Sequence, residues 1–163
     1  MRANSYHTTW QDEAQTAAFA SKLASALART LPREGGLSIA LEGDLGAGKT
    51  TLVRYLLRAL GVEGRIKSPS YAIVESYDTN AFPAWHFDFY RMSSAAEWED
   101  AGFREIFTGH GLRLVEWPGQ LPAGLVPYDL RMTWTLEADT LRHIQLQATS
   151  PAGQQLLQDL EHE

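Results

Sequence analysis

The sequence predicts a three-layer α/β domain whose mixed sheet has parallel central strands and antiparallel edge pairs. Three observations carry this. A short apolar run passes through a glycine-rich turn into a strongly periodic helix. Later alternating segments pair off around tight turns as hairpins. The 163 residues suffice for one hydrophobic core, so residues 1–163 read as a single domain with no room for a second.

The elements follow in chain order. Residues 1–10 carry no helical period and are treated as a flexible lead-in. From Glu13 to Leu27, apolar residues recur at Ala14, Ala17, Ala18, Leu23, Ala24 and Leu27, a helical spacing closed by "LPREGG". "LSIALEG" (Leu37 to Gly43) is a short apolar strand, and "KTTLVRYLLRALG" (Lys49 to Gly61) is a helix with a C-terminal glycine. "YAIVESY" (Tyr71 to Tyr77) and "AWHFDFY" (Ala84 to Tyr90) flank the turn-like "DTNAFP" and are expected to pair as a hairpin. Ser94 followed by Glu97 has the spacing of a capping box, so a short helix runs to about Ala101 and stops at Gly102. "LRLVEWPG" (Leu112 to Gly119) is a strand ended by proline, "YDLRMTWTLEADTLRHIQLQA" holds two alternating runs around "ADT", and "PAGQQLLQDL" is a final helix with proline in its first turn.

Composition narrows the function. With 44% hydrophobic and 21% charged residues the chain reads as an ordinary soluble domain. No apolar run approaches the ~18 residues of a membrane span, and "MRANSYHTTWQDEAQ" lacks the apolar segment of a signal peptide, so the cytoplasm is the expected location, with no membrane partner. The absence of cysteine excludes disulfides, thiolate zinc sites and cysteine catalysis. A formal net charge of −6 argues against nonspecific nucleic-acid binding, so any nucleic acid is expected to be held by a partner. The charge is uneven: Lys49, Arg54, Arg58, Arg65 and Lys67 follow the glycine-rich turn, whereas Glu97, Glu99, Asp100 and Glu105 cluster later.

The glycine-rich turn carries the chemistry. Gly43-x-x-x-x-Gly48-Lys49-Thr50 is the Walker A pattern, in which backbone N–H groups and a helix N-terminus surround phosphates, the lysine reaches the outer ones and the threonine hydroxyl ligates magnesium. Gly43, Asp44, Leu45, Gly46, Ala47, Gly48, Lys49, Thr50 and Thr51 are therefore the expected nucleotide-binding residues, and the fold class sharpens to a P-loop NTPase. Mg²⁺ takes further oxygen ligands, directly or through water, and acidic residues at strand ends can supply them. Glu116 closes "LRLVE", where P-loop enzymes place their second acidic residue. Alternation in "HFDFY" puts His86, Asp88 and Tyr90 on one face and Trp85, Phe87 and Phe89 on the other. Lys49, Asp88 and Glu116 are the candidate catalytic residues, and Thr50, Glu116 and Asp88 the candidate metal set. His86 reads as a hydrogen-bonded structural histidine, and Arg91 as either a phosphate contact or a salt-bridge partner. In "SPS", Ser68 and Ser70 offer hydroxyls that could sense a terminal phosphate as a switch does.

"GDLGAGKTTLVR", "KSPSYAIVESY", "HFDFYR" and "LVEWP", in this order and spacing, resemble the TsaE (formerly YjeE) family of small bacterial ATPases of threonylcarbamoyladenosine synthesis, and the resemblance runs from about Glu13 to the final helix. It implies a compact P-loop fold that binds ATP and Mg²⁺ and works with TsaD and TsaB, which transfer a threonylcarbamoyl group to the adenosine beside a tRNA anticodon. It implies that Lys49 and the loop amides bind phosphates, that Thr50 and Glu116 hold magnesium, and that Asp88 lies beside the metal and the attacking water. It places Trp117 near the nucleotide or the partner surface. The family usually has threonine at Ser70, a change that keeps the hydroxyl. It also tends to carry Gly-Arg in the late hairpin, where the arginine approaches the nucleotide. Here Arg142 follows Leu141, and it joins the nucleotide-binding candidates without that glycine.

Two other readings stand beside this one. A small-molecule kinase would use Asp88 as its base and needs an arginine-bearing lid, for which Arg104 and Arg113 are loose candidates. A nucleotide-dependent assembly module would bind its partners according to nucleotide occupancy, with hydrolysis incidental.

Overall fold

The structure is a computed structural model and describes residues 4–69, 72–138 and 140–163. Its elements are β1 (Ser5–Trp10), α1 (Glu13–Glu34), β2 (Gly36–Glu42), α2 (Lys49–Ala59), β3 (Val74–Asp78), β4 (Pro83–Asp88), α3 (Ala95–Ala101), α4 (Arg104–Thr108), β5 (Gly111–Glu116), β6 (Leu130–Glu137), β7 (Leu141–Ala148) and α5 (Pro151–Glu161). The strands form one sheet in the order β1-β7-β6-β2-β5-β4-β3. The β6-β2-β5-β4 centre is parallel, whereas β1-β7, β7-β6 and β3-β4 are antiparallel, as the alternating hairpin segments suggested.

Strand alternation divides the interior into two cores. Leu37, Ile39 and Leu41 of β2, Leu112 and Leu114 of β5, and Leu130 and Met132 of β6 pack with the buried faces of α1, α2 and α5. On the other side of the sheet, Phe87 and Val115 pack with Trp98 of α3, Phe107 of α4, and Phe89 and Phe103. The aromatic face expected from "HFDFY" is this second core. His86 and Asp88 consequently project to the α2 side.

Several boundaries differ from the sequence reading. Ser5–Trp10, within the stretch treated as a flexible lead-in, is an edge strand paired with β7 along its whole length. Helix α1 runs past Leu27 and takes in Pro32, because the apolar stripe of Leu23 and Leu27 continues at the fully buried Leu31. Proline removes the bond to the residue 28 carbonyl, but Ala28 is exposed and water can satisfy that group. Strand β3 begins at Val74, and Tyr71 lies outside the described residues. Strand β4 ends at Asp88, two residues before Tyr90. Ser94 caps α3 by accepting from the Glu97 N–H at 3.2 Å, and Gly102 ends it in a left-handed conformation, as the capping-box spacing implies.

Helix α5 is locked to the sheet at Gly153. A Cβ there would stand 1.8 Å from the Asp129 carbonyl oxygen, which accepts from the Thr149 N–H at 2.9 Å. Helix propensity alone favours alanine over glycine by about 1 kcal/mol. The backbone contact reverses that sign. Gly153→Ala is expected to destabilise the fold by about 1–3 kcal/mol or more, read as a lowered urea midpoint; an unchanged or raised midpoint would refute this packing.

Candidate functional site

The loop between β2 and α2 is shaped by its glycines. Gly46 and Gly48 have φ of 81° and 113°, which side-chain-bearing residues rarely adopt. At Gly43 a Cβ would lie 3.0 Å from Cβ of Trp134 on β6 and 3.3 Å from that of Ala47, so a side chain there would crowd the neighbouring strand. The Ala47 N–H closes a turn onto the Asp44 carbonyl at 3.0 Å. Gly48 is the N-cap of α2, so no side chain occupies the helix's first N–H groups, and no acidic residue stands in its first turn. These amides and the positive end of the helix dipole suit an anion.

Lys49 occupies an electrostatically costly position. It is a cation in the first turn of α2, where the dipole disfavours positive charge, and it is buried. Burial lowers its pKa, while Glu116, Asp88 and Asp44 act in the opposite direction. Its Nζ donates to the Gly43 carbonyl and lies 3.7 Å from the centre of the Trp117 ring. Trp117 takes a left-handed conformation (φ 56°) directly after β5, which turns its ring across the loop and against Tyr90, 5.0 Å between ring centres.

The two strand-end carboxylates are neighbours. Leu41, Glu116 and Asp88 share one row across β2, β5 and β4. The Thr50 hydroxyl lies 3.0 Å from both oxygens of Glu116, and His86 Nε2 lies 2.6 Å from Oε2. Asp88 is held by its backbone, its N–H donating to the Ile73 carbonyl at 2.8 Å, and its Oδ1 accepts from the Tyr90 N–H at 2.9 Å. Ile73 has φ 68°, a strained value for a β-branched residue and one found where a function fixes the backbone. Burial raises the Asp88 pKa; the Tyr90 N–H counters this and Glu116 adds to it.

A cavity of about 250 Å³ gathers Leu45, Gly46, Gly48, Lys49, Thr50, Thr51, Ser68, Asp88, Glu116 and Trp117. Most of the expected site residues therefore meet in one place. Gly43, Asp44 and Ala47 belong to the same loop without lining the cavity. Arg142 stands behind the loop, its Nε donating to the Ala47 carbonyl at 2.7 Å. Ser70 lies outside the described residues. Tyr77 fixes the approach to Ser68, since its hydroxyl is 3.1 Å from both the N–H and the carbonyl of Lys67. The two arginines considered for a lid lie elsewhere: Arg113 is buried against Ser38 and the Gly109 carbonyl, and Arg104 pairs with Glu99.

The donor set fits magnesium supplied with phosphate. Thr50, Glu116 and Asp88 offer hard oxygens, and a cation between the last two would offset the burial that raises Asp88 and the smaller repulsion from Glu116. Among the described residues no three His, Cys, Asp or Glu side chains form a metal cage by themselves. Phosphate and water would have to complete the coordination of such a cation. The sequence reading did not foresee the His86–Glu116 contact, although the alternation in "HFDFY" put His86 on the correct face. The roles of Trp134 and Tyr77 carried no local signal.

An α/β domain with a glycine loop and two carboxylates at the ends of its parallel strands is the class defined so far. The family model described as "Threonylcarbamoyl adenosine biosynthesis protein TsaE" matches residues 10–146. The tRNA threonylcarbamoyladenosine biosynthesis protein TsaE of Haemophilus influenzae is 35% identical over 146 residues, covering 90% of this chain and 91% of that protein. The Bacillus subtilis protein of the same name is 35% identical over 140 residues, covering 86% and 84%. The crystal structure of Bacillus subtilis YdiB matches with a TM-score of 0.74 at 29% identity, covering 99% of this chain and 97% of that one. The chain belongs to the TsaE family of tRNA threonylcarbamoyladenosine biosynthesis proteins.

The carboxylate row has a consequence for stability. Because the folded chain holds the Asp88 proton more tightly than the unfolded chain does, ionising Asp88 favours unfolding. That cost is absent below the ordinary carboxylate pKa of about 4 and is complete above the raised folded value. Asp88→Asn keeps an oxygen for the Tyr90 N–H. In EDTA at pH 7 it is expected to raise the thermal midpoint, by no more than about 2–4 °C for a half-exposed group. The gain should vanish near pH 3.5; a gain independent of pH would refute the electrostatic cause.

Proposed function

We propose that this protein is a Mg-dependent ATPase of the P-loop NTPase class that hydrolyses ATP to ADP and phosphate in support of TsaD and TsaB. Those partners form threonylcarbamoyladenosine beside the anticodon of tRNA, and this chain meets the tRNA only through them. The observation that carries the reading is the convergence of Lys49, Thr50, Asp88 and Glu116 on one cavity at the start of α2. The family membership supports the pathway. The net charge of −6 supports an accessory role, because it disfavours direct binding of the tRNA. Its proposed location is the cytoplasm; among the described residues no helix is long and apolar enough to cross a membrane.

The mechanism rests mainly on positioning and charge neutralisation, the usual resources for phosphoryl transfer. The loop amides and Lys49 bind and orient the phosphates. Thr50 and Glu116 would hold the magnesium, and Asp88 orients the attacking water or accepts its proton from the adjacent strand end. Bound magnesium would neutralise charge on the phosphate oxygens. Trp117 and Leu45 border the cavity. Ser68, fixed through Tyr77, is the switch hydroxyl in this reading.

Phosphate release from Mg-ATP by the protein alone, and then with TsaD and TsaB, tests the proposal. Stimulation by the partners is expected. Lys49→Ala should weaken nucleotide affinity by about 100-fold or more, through loss of charged hydrogen bonds in a partly desolvated site. Glu116→Ala should retain much of the binding and lose at least ~100-fold in turnover, the scale of removing a preorganised electrostatic group. Normal tRNA modification by Glu116→Ala would sink the ATPase cycle and favour the assembly module. ADP formed only when a small acceptor is added would instead identify a kinase.

A further inference from the structure

We infer that His86 is a positioning residue whose hydrogen bond sets the orientation of Glu116 toward Thr50. The inference rests on the reading of this cavity as a Mg-nucleotide site and adds a residue to it. His86 is 1% exposed and lies on β4 in register with Leu114, so its ring reaches along the sheet to the carboxylate two residues further up β5. Nε2 is 2.6 Å from Glu116 Oε2. An ionised carboxylate only accepts, so Nε2 donates. The other ring nitrogen, Nδ1, is buried with no hydrogen-bond partner among the described residues. The ring therefore commits its one hydrogen bond to this carboxylate.

A glutamate has three side-chain torsions, and burial alone does not choose among them. With Oε2 held by His86, both oxygens remain 3.0 Å from the Thr50 hydroxyl. A histidine serving only to fill the core would be expected to bond a backbone carbonyl or another structural group. This one bonds the residue assigned to the cation. Partners of this kind around metal-binding residues characteristically change metal affinity or activity by 10–100-fold when removed.

The test compares His86→Gln, whose amide can place a donor near Nε2, with His86→Asn, one bond shorter, and with the apolar His86→Phe. ADP affinity is measured by calorimetry with Mg²⁺ and with EDTA, alongside kcat, KM and the thermal midpoint. The wild-type protein should bind more tightly with Mg²⁺. His86→Asn and His86→Phe should lose about 10-fold or more of that magnesium-dependent enhancement and lose kcat, with EDTA affinity changed less than about twofold; His86→Gln should recover most of both. If His86→Phe does not fold, the contrast between glutamine and asparagine still decides. Unchanged magnesium dependence and kcat in His86→Asn, with only a lower midpoint, would overturn the inference and leave the functional reading standing. A wild-type protein that binds no nucleotide in either condition would overturn both.

Discussion

Parallel pairing of β2, β5 and β4 in a fixed register is the constraint on which the site depends. It places Leu41, Glu116 and Asp88 in one row, so the glycine loop leaving β2 begins where two carboxylates already stand. A slip of one residue in β4 would turn Asp88 into the aromatic core and Phe87 toward the loop, because side chains alternate faces. The second core guards against that slip. Phe87 lies against Phe89, Phe103 and Phe107, with ring centres 4.8–5.5 Å apart, and such a cluster admits no aspartate. Packing far from the loop thereby determines the chemistry beside it.

The site concentrates features that a fold selected for stability alone would avoid. Lys49 is buried at the wrong end of a helix dipole, Asp88 is held where its charge is disfavoured, and Ile73 and Trp117 adopt left-handed backbone. Each has a local compensation. Lys49 finds a carbonyl and an aromatic face, Asp88 a backbone N–H, and the Ile73 carbonyl accepts the Asp88 N–H. Strain of this kind gathered around one cavity of a well-packed domain is a stronger pointer to function than the cavity's size. Larger hollows lie elsewhere on the molecule without such a gathering.

What the sequence disclosed was local. The loop, α2, the capping box at Ser94 and the two-faced β4 each arise from spacings of a few residues, and the parallel centre follows from strand and helix in succession. What it withheld was long-range. The strand Ser5–Trp10 turns only Tyr6 and Trp10 of its residues into the main core, a pattern too short to read locally, and it forms through pairing with β7, at the other end of the chain. The last turns of α1 overrode a proline because Leu31 has a core to enter. The His86–Glu116 bond joins residues 30 apart and requires β4 to lie beside β5. No window of sequence contains that adjacency.

The antiparallel half of the sheet is needed by the loop as much as the parallel half. Trp134 on β6 crowds the space that a side chain at residue 43 would need, and Arg142 on β7 ties the Ala47 carbonyl from 95 residues away. Family resemblance led to the expectation of a glycine before this arginine, and Leu141 stands there instead. The register explains why the arginine still arrives. Arg142 shares a strand face with Ile144 and Leu146, whose side chains enter the core beneath α1 and α5, so β7 itself directs it to the loop side. Leu141, half-buried next to it, faces the other way and leaves the approach open. In this chain the strand's alternation is sufficient to bring an arginine to the loop, and the first demand on that arginine is the backbone of Ala47.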